Sequence, residues 1–319
     1  MISEQLKLHQ LDCLIAVSDN GSVRRAADRL GRSPTAVSNA LRELERVVGA
    51  VLLERRADGV VTTDAGKTLL AHARLIFGQL QRASEDVAQL TFRRGGTIRM
   101  AITPWLIDGV LPQVINVFRA QRPDVQLDVA EHLGVDYSAV RNGQLDFALG
   151  PLPDDSLNHA LDARPLYTYS FAVVCRRDHP AANARSIAEL EGYDWLLSRS
   201  MNQVAPAICA LIEAQVEDHA CHVHYARSVH AALALVRCTD MLSIIPWPLV
   251  EAPDTRHRYL ALHLDALAHD GTTCVVTRRY EPLQGAAFAF LETFHQVARE
   301  LAASADPNMR RIFRMVEAE

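Results

Sequence analysis

No run of apolar residues in the 319-residue sequence approaches the roughly 18–20 residues needed to cross a membrane. The first ten residues, MISEQLKLHQ, lack the charged-then-apolar pattern of a secretory signal. The sequence also lacks the phosphate-binding pattern GxxxxGK[ST], the dinucleotide pattern GxGxxG and the hydrolase pattern GxSxG. These absences predict a cytoplasmic protein that contacts no membrane and is not an enzyme.

Cysteine is scarce in the chain and follows no pattern. The six cysteines are Cys13, Cys175, Cys209, Cys221, Cys238 and Cys274. No two of them form a CxxC pair, so in a cytoplasmic protein they are most simply reduced, mostly buried thiols. A redox-sensing pair remains the alternative.

One short cluster combines residue types that bind metals, namely His219, Cys221, His222 and His224. On a strand His222 and His224 share one face, whereas Cys221 points away from it. No fourth ligand follows at the spacing of a structural zinc site. The sequence therefore predicts a surface strand here, with neither a metal nor another cofactor.

Basic residues are fewer than acidic residues over the whole chain, with 33 Lys and Arg against 38 Asp and Glu, which gives a net charge of −5. The deficit is uneven along the chain. Residues 1–94 contain 14 basic and 11 acidic residues, a net of +3, and the remainder contains 19 and 27, a net of −8. A basic head on an acidic body fits a DNA-binding domain joined to a domain with another role.

Two helices joined by a tight turn are predicted within residues 21–46. Ser22 is the predicted cap of the first helix, Ser22–Leu30. Gly31 can end that helix because glycine accepts the left-handed conformation found past a helix C-terminus.

The second helix has a clear start and two distinct faces. Ser33 is its predicted cap, and Pro34 occupies its first position, where a missing N–H costs nothing. Its buried stripe consists of Val37, Leu41 and Leu44. Its open face carries Thr35, Ala36, Ser38, Asn39 and Arg42. Such a face suits the major groove of DNA, although an ordinary helical hairpin with a solvated polar face is the alternative.

Residues 11–66 resemble the winged helix-turn-helix of the LysR-type transcriptional regulators. The matching stretches are GSVRRAADRL, SPTAVSNALRELE, Gly49 and VLLERRADGVVTTDAG. Two strands, Val51–Leu53 and Val60–Thr62, are expected to form the wing, with Arg55, Arg56, Asp58 and Gly59 in its turn. The resemblance implies a phosphate contact for Arg55, and an ion pair with Glu54 or Asp58 is the alternative. The candidate DNA-binding residues are Ser22, Ser33, Pro34, Thr35, Ser38, Asn39, Arg42, Arg55 and Arg56.

A long helix, capped by Thr63 or Asp64, is predicted to run to about Phe92, a length on the order of 40 Å. Its apolar residues recur at alternating spacings of four and three, in the order Leu69, Ala73, Ile76, Leu80, Ala83, Val87, Leu90. This heptad seam predicts pairing with the same helix of a second chain, and the resemblance implies a dimer made in this way. The alternative is a helix docked on its own domain.

Strands and helices alternate from Thr97 onwards, which predicts a parallel sheet covered by helices. The expected strands are Thr97–Thr103, Val125–Glu131, Asp146–Gly150, Leu166–Arg176, Trp195–Leu197, Cys221–Ala226, Leu242–Pro246 and Gly271–Arg278. The expected helices are Leu106–Arg119, Val135–Asn142, Ile187–Leu190, Val204–Val216, His230–Cys238 and Gln284–Ala303. The last strand and helix are expected to return to the first α/β unit.

This half resembles the effector domain of the same family, in IRMAITPWLIDGVLPQVINVFRAQRPDVQLDVAEH, VRNGQLDFALG, PLYTYSFAVVCRRDHP and LALVRCTDMLSIIP. The resemblance implies an α/β protein with a winged helix-turn-helix (residues 1–63) and a linker helix (64–94). It further implies a two-lobed, periplasmic-binding-protein-like (type 2) effector domain (95–303) and a C-terminal tail (304–319). Lobe I would comprise about 95–162 and 267–303, and lobe II about 163–266.

Ligands of such sheets bind beyond the carboxyl ends of the strands, where helix N-termini favour anions. The candidate effector-binding residues are Thr103, Trp105, His132, Arg199, Ser200, Asn202, Arg227 and Ser228. Hydroxyl and N–H groups would hold an acid group, Trp105 would stack on a ring, and Arg199 or Arg227 would supply the counter-charge.

The combined prediction is a ligand-responsive transcriptional regulator that works as a homodimer or homotetramer. Its expected partners are double-stranded DNA, a small organic acid and a second copy of itself, with RNA polymerase as a further candidate. The rival prediction is a solute-binding or catalytic α/β protein whose helical head binds another protein.

Overall fold

The computed structural model describes residues 6–56, 59–92, 96–153, 160–198, 209–210, 212–214, 221–252, 255–262, 264, 270–279, 281, 283, 285–305 and 314–315. The chain forms a smaller unit, which comprises the N-terminal residues up to Thr91 together with Arg141–Gln144, and a larger unit, which comprises Phe92–Val140 and the residues from Leu145 onwards.

Three helices open the N-terminal unit, namely α1 (Leu8–Asn20), α2 (Val23–Leu30) and α3 (Pro34–Val48). Glycines in the left-handed conformation end all three, with φ of 60° at Gly21, 62° at Gly31 and 74° at Gly49. Ser33 caps α3 as predicted, because its Oγ accepts the Ala36 N–H at 3.1 Å. The predicted stripe of α3 is buried in a core shared with α1 and α2.

The predicted side-chain cap by Ser22 is wrong. Ser22 precedes α2 in an extended conformation, but its hydroxyl accepts no capping hydrogen bond. Its backbone carbonyl starts the helix by accepting the Ala26 N–H at 3.0 Å. The adjacent carbonyl of Gly21 accepts the Val60 N–H at 3.0 Å, so a backbone contact holds this turn.

The wing consists of two antiparallel strands, β1 (Leu53–Arg56) and β2 (Gly59–Thr62). Their ladder closes with Arg56 opposite Gly59, so Arg55, Arg56 and Gly59 lie in the strands and not in the turn as predicted. Continued backbone pairing to Arg56 leaves only residues 57 and 58 for the connection, and Asp58 lies outside the described residues.

The long helix, α4 (Asp64–Phe92), has the predicted extent. Thr63 is the cap, since its Oγ1 accepts the Gly66 N–H at 2.9 Å. The seam divides into two parts along α4. Leu69 and Ala73 pack on the helix-turn-helix core. Ile76, Leu80, Ala83 and Val87 are exposed, and the side chain of Leu90 lies outside the described residues.

A single sheet of ten strands organises the larger unit. The strands are β3 (Thr97–Ile102), β4 (Gln126–Glu131), β5 (Phe147–Pro151), β6 (Leu161–Arg176), β7 (Trp195–Ser198), β8 (Val223–Ala226), β9 (Leu242–Pro246), β10 (Tyr259–Leu262), β11 (Asp270–Arg278) and β12 (Arg314–Met315). Their order in the sheet is β4-β3-β5-β11-β6-β9-β7-β8, and β10 and β12 also pair with β6.

The sheet is mixed and not parallel throughout as predicted. Strands β3, β4 and β5 pair in parallel, as do β7, β8 and β9. Strand β6 runs antiparallel to both β11 and β9 and so joins the two parallel sets. Its 16 residues begin at Leu161 and not at Leu166 as predicted, because its pairing with β11 continues past Pro165. The register shifts between Thr273 and Cys274, which pair with Tyr167 and Pro165 and leave Leu166 without a partner in this ladder. The shift occurs next to Pro165, which cannot donate to a ladder.

Six helices and one 3₁₀ turn are described on this sheet, namely α5 (Pro104–Gly109), α6 (Leu111–Gln121), α7 (Ser138–Arg141), the turn Ile187–Leu190, α8 (Val229–Cys238), α9 (Trp247–Glu251) and α10 (Gly285–Ala302). The single helix predicted over Leu106–Arg119 is two helices that meet at Val110. Pro112 explains the break, because its ring would clash with the carbonyl four residues earlier in a continuous helix.

The predicted return of the chain is confirmed. Strand β11 pairs with β5 of the first parallel set. Helix α10 packs on α6, with the rings of Phe290 and Phe118 5.2 Å apart. Helix α7 is one turn long, shorter than the predicted Val135–Asn142. Of the helix predicted over Val204–Val216, the structure describes residues 209–210 and 212–214, and these are helical. The rest of that helix and most of the tail lie outside the described residues.

Candidate DNA-binding face and effector cavity

The open face of α3 is accessible along its length. Thr35, Asn39 and Arg42 are exposed, and Ser38 is half-buried. Ser33 and Pro34 are exposed where this face begins. Hydroxyl, amide and guanidinium groups therefore share one helical surface, which is the set of donors and acceptors that reads base edges in the major groove.

Several arginines near this face are already paired. Arg46 contacts Glu43 at 2.6 Å and Arg29 contacts Asp19 at 3.4 Å. Asp19 also pairs with Arg74 of α4 at 2.5 Å. In the described part of the chain Arg42 forms no ion pair, so its guanidinium is available to a phosphate or a guanine.

Of the two arginines in the wing, Arg56 is the one whose side chain the structure describes. Arg56 is exposed and lies 3.6 Å from Glu54, a surface pair that is worth little and is easily exchanged for a phosphate. The backbone of Arg55 pairs with Val60, and its side chain lies outside the described residues.

A cavity of about 640 Å³, including the solvent at its mouth, lies beyond the carboxyl ends of the parallel strands in the larger unit. Residues that end or follow these strands line it, and they are Thr103, Leu133, Pro151, Ser198, Ala226, Ser228 and Pro246. Both parallel sets contribute to this group, as expected for an open α/β sheet.

Three of the eight predicted effector residues line this cavity, namely Thr103, Trp105 and Ser228. Arg227 is exposed and lies outside the lining. Arg199, Ser200 and Asn202 lie outside the described residues.

His132 does not line the cavity either. Its ring packs on Tyr137, with centroids 4.5 Å apart, and its Nε2 has no hydrogen-bond partner among the described residues. Burial lowers the pKa of His132, so the ring is held neutral. The position of His132 after β4 predicted a ligand contact, but its side chain turns toward Tyr137. The next residue, Leu133, lines the cavity instead.

Aromatic residues that sequence reasoning missed form one wall of the cavity. Trp105, Tyr169 and Phe171 lie in a row, with 5.3 Å between the centroids of each neighbouring pair. Gly271 makes room for this row, because a Cβ there would lie 2.6 Å from the Tyr169 ring. The alternation of aromatic residues at positions 167, 169 and 171 was the available signal.

The polar groups of the cavity are hydroxyls and the start of a helix. Ser228 precedes α8, and its Oγ accepts the Ala231 N–H at 3.5 Å. The first N–H groups of any α-helix lack intrahelical partners and favour an anion. No charged side chain occurs among the described lining residues. The cavity therefore offers an aromatic wall and one weakly positive end.

Two family profiles match the chain. The one described as "Bacterial regulatory helix-turn-helix protein, lysR family" matches residues 8–67, and the one described as "LysR substrate binding domain" matches residues 93–299. The chain belongs to the LysR family of bacterial transcriptional regulators. Members of this family are regulators and not enzymes.

Individual LysR-type relatives are distant in sequence. The regulator GbpR of Azospirillum brasilense is 28% identical over 255 residues, which cover 78% of this chain and 74% of GbpR. The uncharacterized regulator YdcI of Escherichia coli is 29% identical over 181 residues, which cover 56% of this chain and 59% of YdcI. The match thus spans about three fifths of YdcI.

Solved LysR-type structures share the fold. The regulator CbnR aligns with a TM-score of 0.62 at 18% identity, covering 92% of this chain and 99% of CbnR. A full-length OxyR variant from Pseudomonas aeruginosa aligns with a TM-score of 0.61 at 18% identity, covering 98% of this chain and 99% of that one.

The cysteines of this LysR-family chain are all free thiols. Burial raises the pKa of Cys175, Cys209 and Cys274 to about 11, which keeps these thiols protonated at neutral pH. Cys238 is exposed on α8.

Neither a metal cluster nor a membrane span is described in this regulator. Within the described residues no three His, Cys, Asp or Glu side chains are placed to hold a metal ion. His222 and His224 instead face Asp194, at 3.3 and 3.6 Å. None of the described helices combines the length and apolar character that crossing a bilayer requires.

Proposed function

We propose that this LysR-family chain binds specific double-stranded DNA as a homo-oligomer, and that a small organic anion in the cavity modulates this binding. The observation that carries the proposal is the exposed polar face of α3, which ends at Arg42, a side chain with no ion pair among the described residues. Thr35, Ser38 and Asn39 would read bases, Arg42 would contact a guanine or a phosphate, and the wing arginines would hold phosphates. Ser22, Ser33 and Pro34 would lie beside the backbone of the duplex.

The domain limits that we propose follow the sequence predictions. Residues 1–63 form the DNA-binding domain, 64–94 the linker helix, 95–303 the effector domain and 304–319 the tail. Promoter DNA lies in the bacterial cytoplasm, so we place the action of the regulator there. RNA polymerase is a further proposed partner.

The exposed stripe on α4 supports self-association. Ile76, Leu80 and Val87 are 39%, 46% and 63% exposed, and they share one face of a helix that is 29 residues long. A paired α4 would present two recognition helices to two half-sites about one DNA turn, or a multiple of one, apart.

The proposed effector is an anion with a ring. Its ring would lie against the wall of Trp105, Tyr169 and Phe171, and its acid group would face the start of α8 beside Ser228. Thr103 and Ser198 would add hydroxyl contacts. Arg199, Ser200 and Asn202 stay proposed contacts on sequence grounds, and Arg227 would add charge only after a change of conformation.

We further propose that the effector alters the angle between the lobes, which strand β6 joins, and thereby the spacing of the DNA-binding domains. An effector identified by binding should change DNA bending or affinity in a gel-shift assay. Identical bending and affinity with and without that effector would reject this coupling.

The DNA-binding proposal is tested by gel shift on the DNA upstream of the protein's own gene. The complex should form in preference to unrelated DNA, and its affinity should fall by about 10³-fold or more between 50 and 200 mM salt, because phosphate contacts release counterions. Equal affinity for all sequences, or no dependence on salt, would favour the rival in which the head binds a protein.

Filling the cavity should abolish effector binding. In a thermal-shift screen of small carboxylic acids with and without aromatic rings, a ring-bearing acid at about 100 times its Kd should stabilise the protein by about 2.7 kcal/mol. Ala232 lines the cavity, so Ala232→Phe should remove this shift, because the larger ring occupies the ligand volume.

A matched control exists on the same helix. Ala234 is exposed on the outer side of α8, so Ala234→Phe should keep the full thermal shift. Both variants should retain DNA binding without effector. An Ala232→Phe protein that still responds to the acid would place the binding site elsewhere.

A further inference from the structure

We propose that Glu45 is a positioning residue that fixes the wing relative to the recognition helix. Glu45 lies in the last turn of α3, and its Oε1 accepts the N–H groups of Leu52 at 2.8 Å and Leu53 at 3.3 Å. Leu53 is the first residue of β1. A carboxylate on the recognition helix is thus bonded directly to the start of the wing.

The backbone of the same residue reinforces this contact. The carbonyl of Glu45 accepts the N–H groups of Gly49 at 2.8 Å and Ala50 at 3.3 Å. Side chain and backbone together accept four N–H groups from the segment that links α3 to β1. Two of the four bonds involve an ionised acceptor, and such bonds are roughly twice as strong as neutral ones.

The opposite side of the segment is held by the residues that start α4. Thr63 donates its Oγ1–H to the Val51 carbonyl at 2.7 Å and its N–H to the Leu52 carbonyl at 3.0 Å. Gly66 leaves room for that carbonyl, since a Cβ at this position would lie 2.1 Å from the Leu52 oxygen. The entry to β1 is therefore held between two helices.

The neighbouring acid on α3 shows that this role is specific to Glu45. Glu43 is exposed and pairs with Arg46 on the same helix. Glu45 is half-buried and directs its carboxylate to the wing. Arg56 lies three residues beyond Leu53 along β1 and pairs with Gly59 at the end of the ladder. A shift at Leu53 would therefore move Arg56.

The functional consequence rests on the proposed DNA binding, and a double-mutant cycle tests it. Glu45→Ala should weaken specific DNA binding about tenfold, because the wing loses its anchor while alanine preserves the helix. Arg56→Ala should weaken binding in the wild-type background but add little to Glu45→Ala. Glu45→Gln keeps an acceptor oxygen and should restore most of the affinity.

Glu43→Ala is the matched control for the cycle, since it removes a carboxylate from the same helix without touching the wing. Its effect and that of Arg56→Ala should add. Additive effects of Glu45→Ala and Arg56→Ala would overturn the positioning role, whereas failure of the wild type to bind specific DNA would overturn the proposed function instead.

Hydrogen exchange decides the matter independently of DNA. Peptides covering Leu52–Thr62 should exchange faster in full-length Glu45→Ala than in the wild type, and those of α3 should not change. If the buried Leu52 side chain alone anchored the wing, Glu45→Ala would leave the exchange rate of Leu52–Thr62 at its wild-type value. The positioning role of Glu45 would then be wrong, even if Arg56→Ala had no effect on DNA binding.

Discussion

Leu80→Arg should produce a monomer that has lost high-affinity binding to its DNA site. Leu80 lies in the middle of the exposed part of the α4 seam and is 46% exposed in a single chain. In a paired seam an arginine at this position would meet its own copy, and burying two unpaired like charges is unfavourable.

The loss of affinity should be large because a dimer binds its two half-sites as one event. In a monomer the second DNA-binding domain is no longer held at a high effective concentration near its half-site. This loss lowers the affinity about 10²–10⁴-fold. Light scattering would report the mass, and a gel shift with the full site would report the affinity.

A control variant on the same helix keeps the charge and avoids the seam. Gln79 is exposed next to Leu80 but outside the heptad positions, so Gln79→Arg should stay oligomeric and bind normally. If Leu80→Arg kept the mass and affinity of the wild type, α4 would not be the pairing element.

The double substitution of Asn39→Ala with Arg42→Ala should abolish the preference for the specific site. Both side chains are exposed on the open face of α3. A good bidentate contact to a base is worth about 1–3 kcal/mol, so loss of two should lower specific affinity about a hundredfold or more. Competition between specific and unrelated DNA in a gel shift measures the preference directly.

Non-specific binding and folding supply the controls for this variant. The wing and helix-end phosphate contacts would remain, so binding to unrelated DNA should fall far less than binding to the specific site. Arg46→Ala removes an arginine of α3 that is paired with Glu43, and it should cost less than about threefold. An unchanged preference in the double variant would show that another surface reads the DNA.

Local patterns in the chain were sufficient to predict the helix-turn-helix. Ser33 and Pro34 begin a helix and Gly31 and Gly49 end two helices because capping depends on a few neighbouring atoms. Ser22 shows where this reasoning fails. The same residue type at the same position makes no side-chain cap, and a backbone contact from Val60 of the distant strand β2 to Gly21 is found at this turn.

The cavity was predictable in part. Thr103, Trp105 and Ser228 were found because residues that follow parallel strands meet at one sheet edge. Tyr169 and Phe171 were missed because they lie inside β6, whose role depends on pairing with β11 and β9, about 100 and 70 residues further along the chain.

The helix periods, the caps and the heptad seam could be predicted from the amino-acid sequence by itself, because each depends on contacts within a few residues. The direction of β6 and the contact between the Val60 N–H and the Gly21 carbonyl were decided only in the folded chain. Both depend on atoms that are distant in sequence and adjacent in space, where burial and hydrogen bonding select one arrangement among several that local pattern allows.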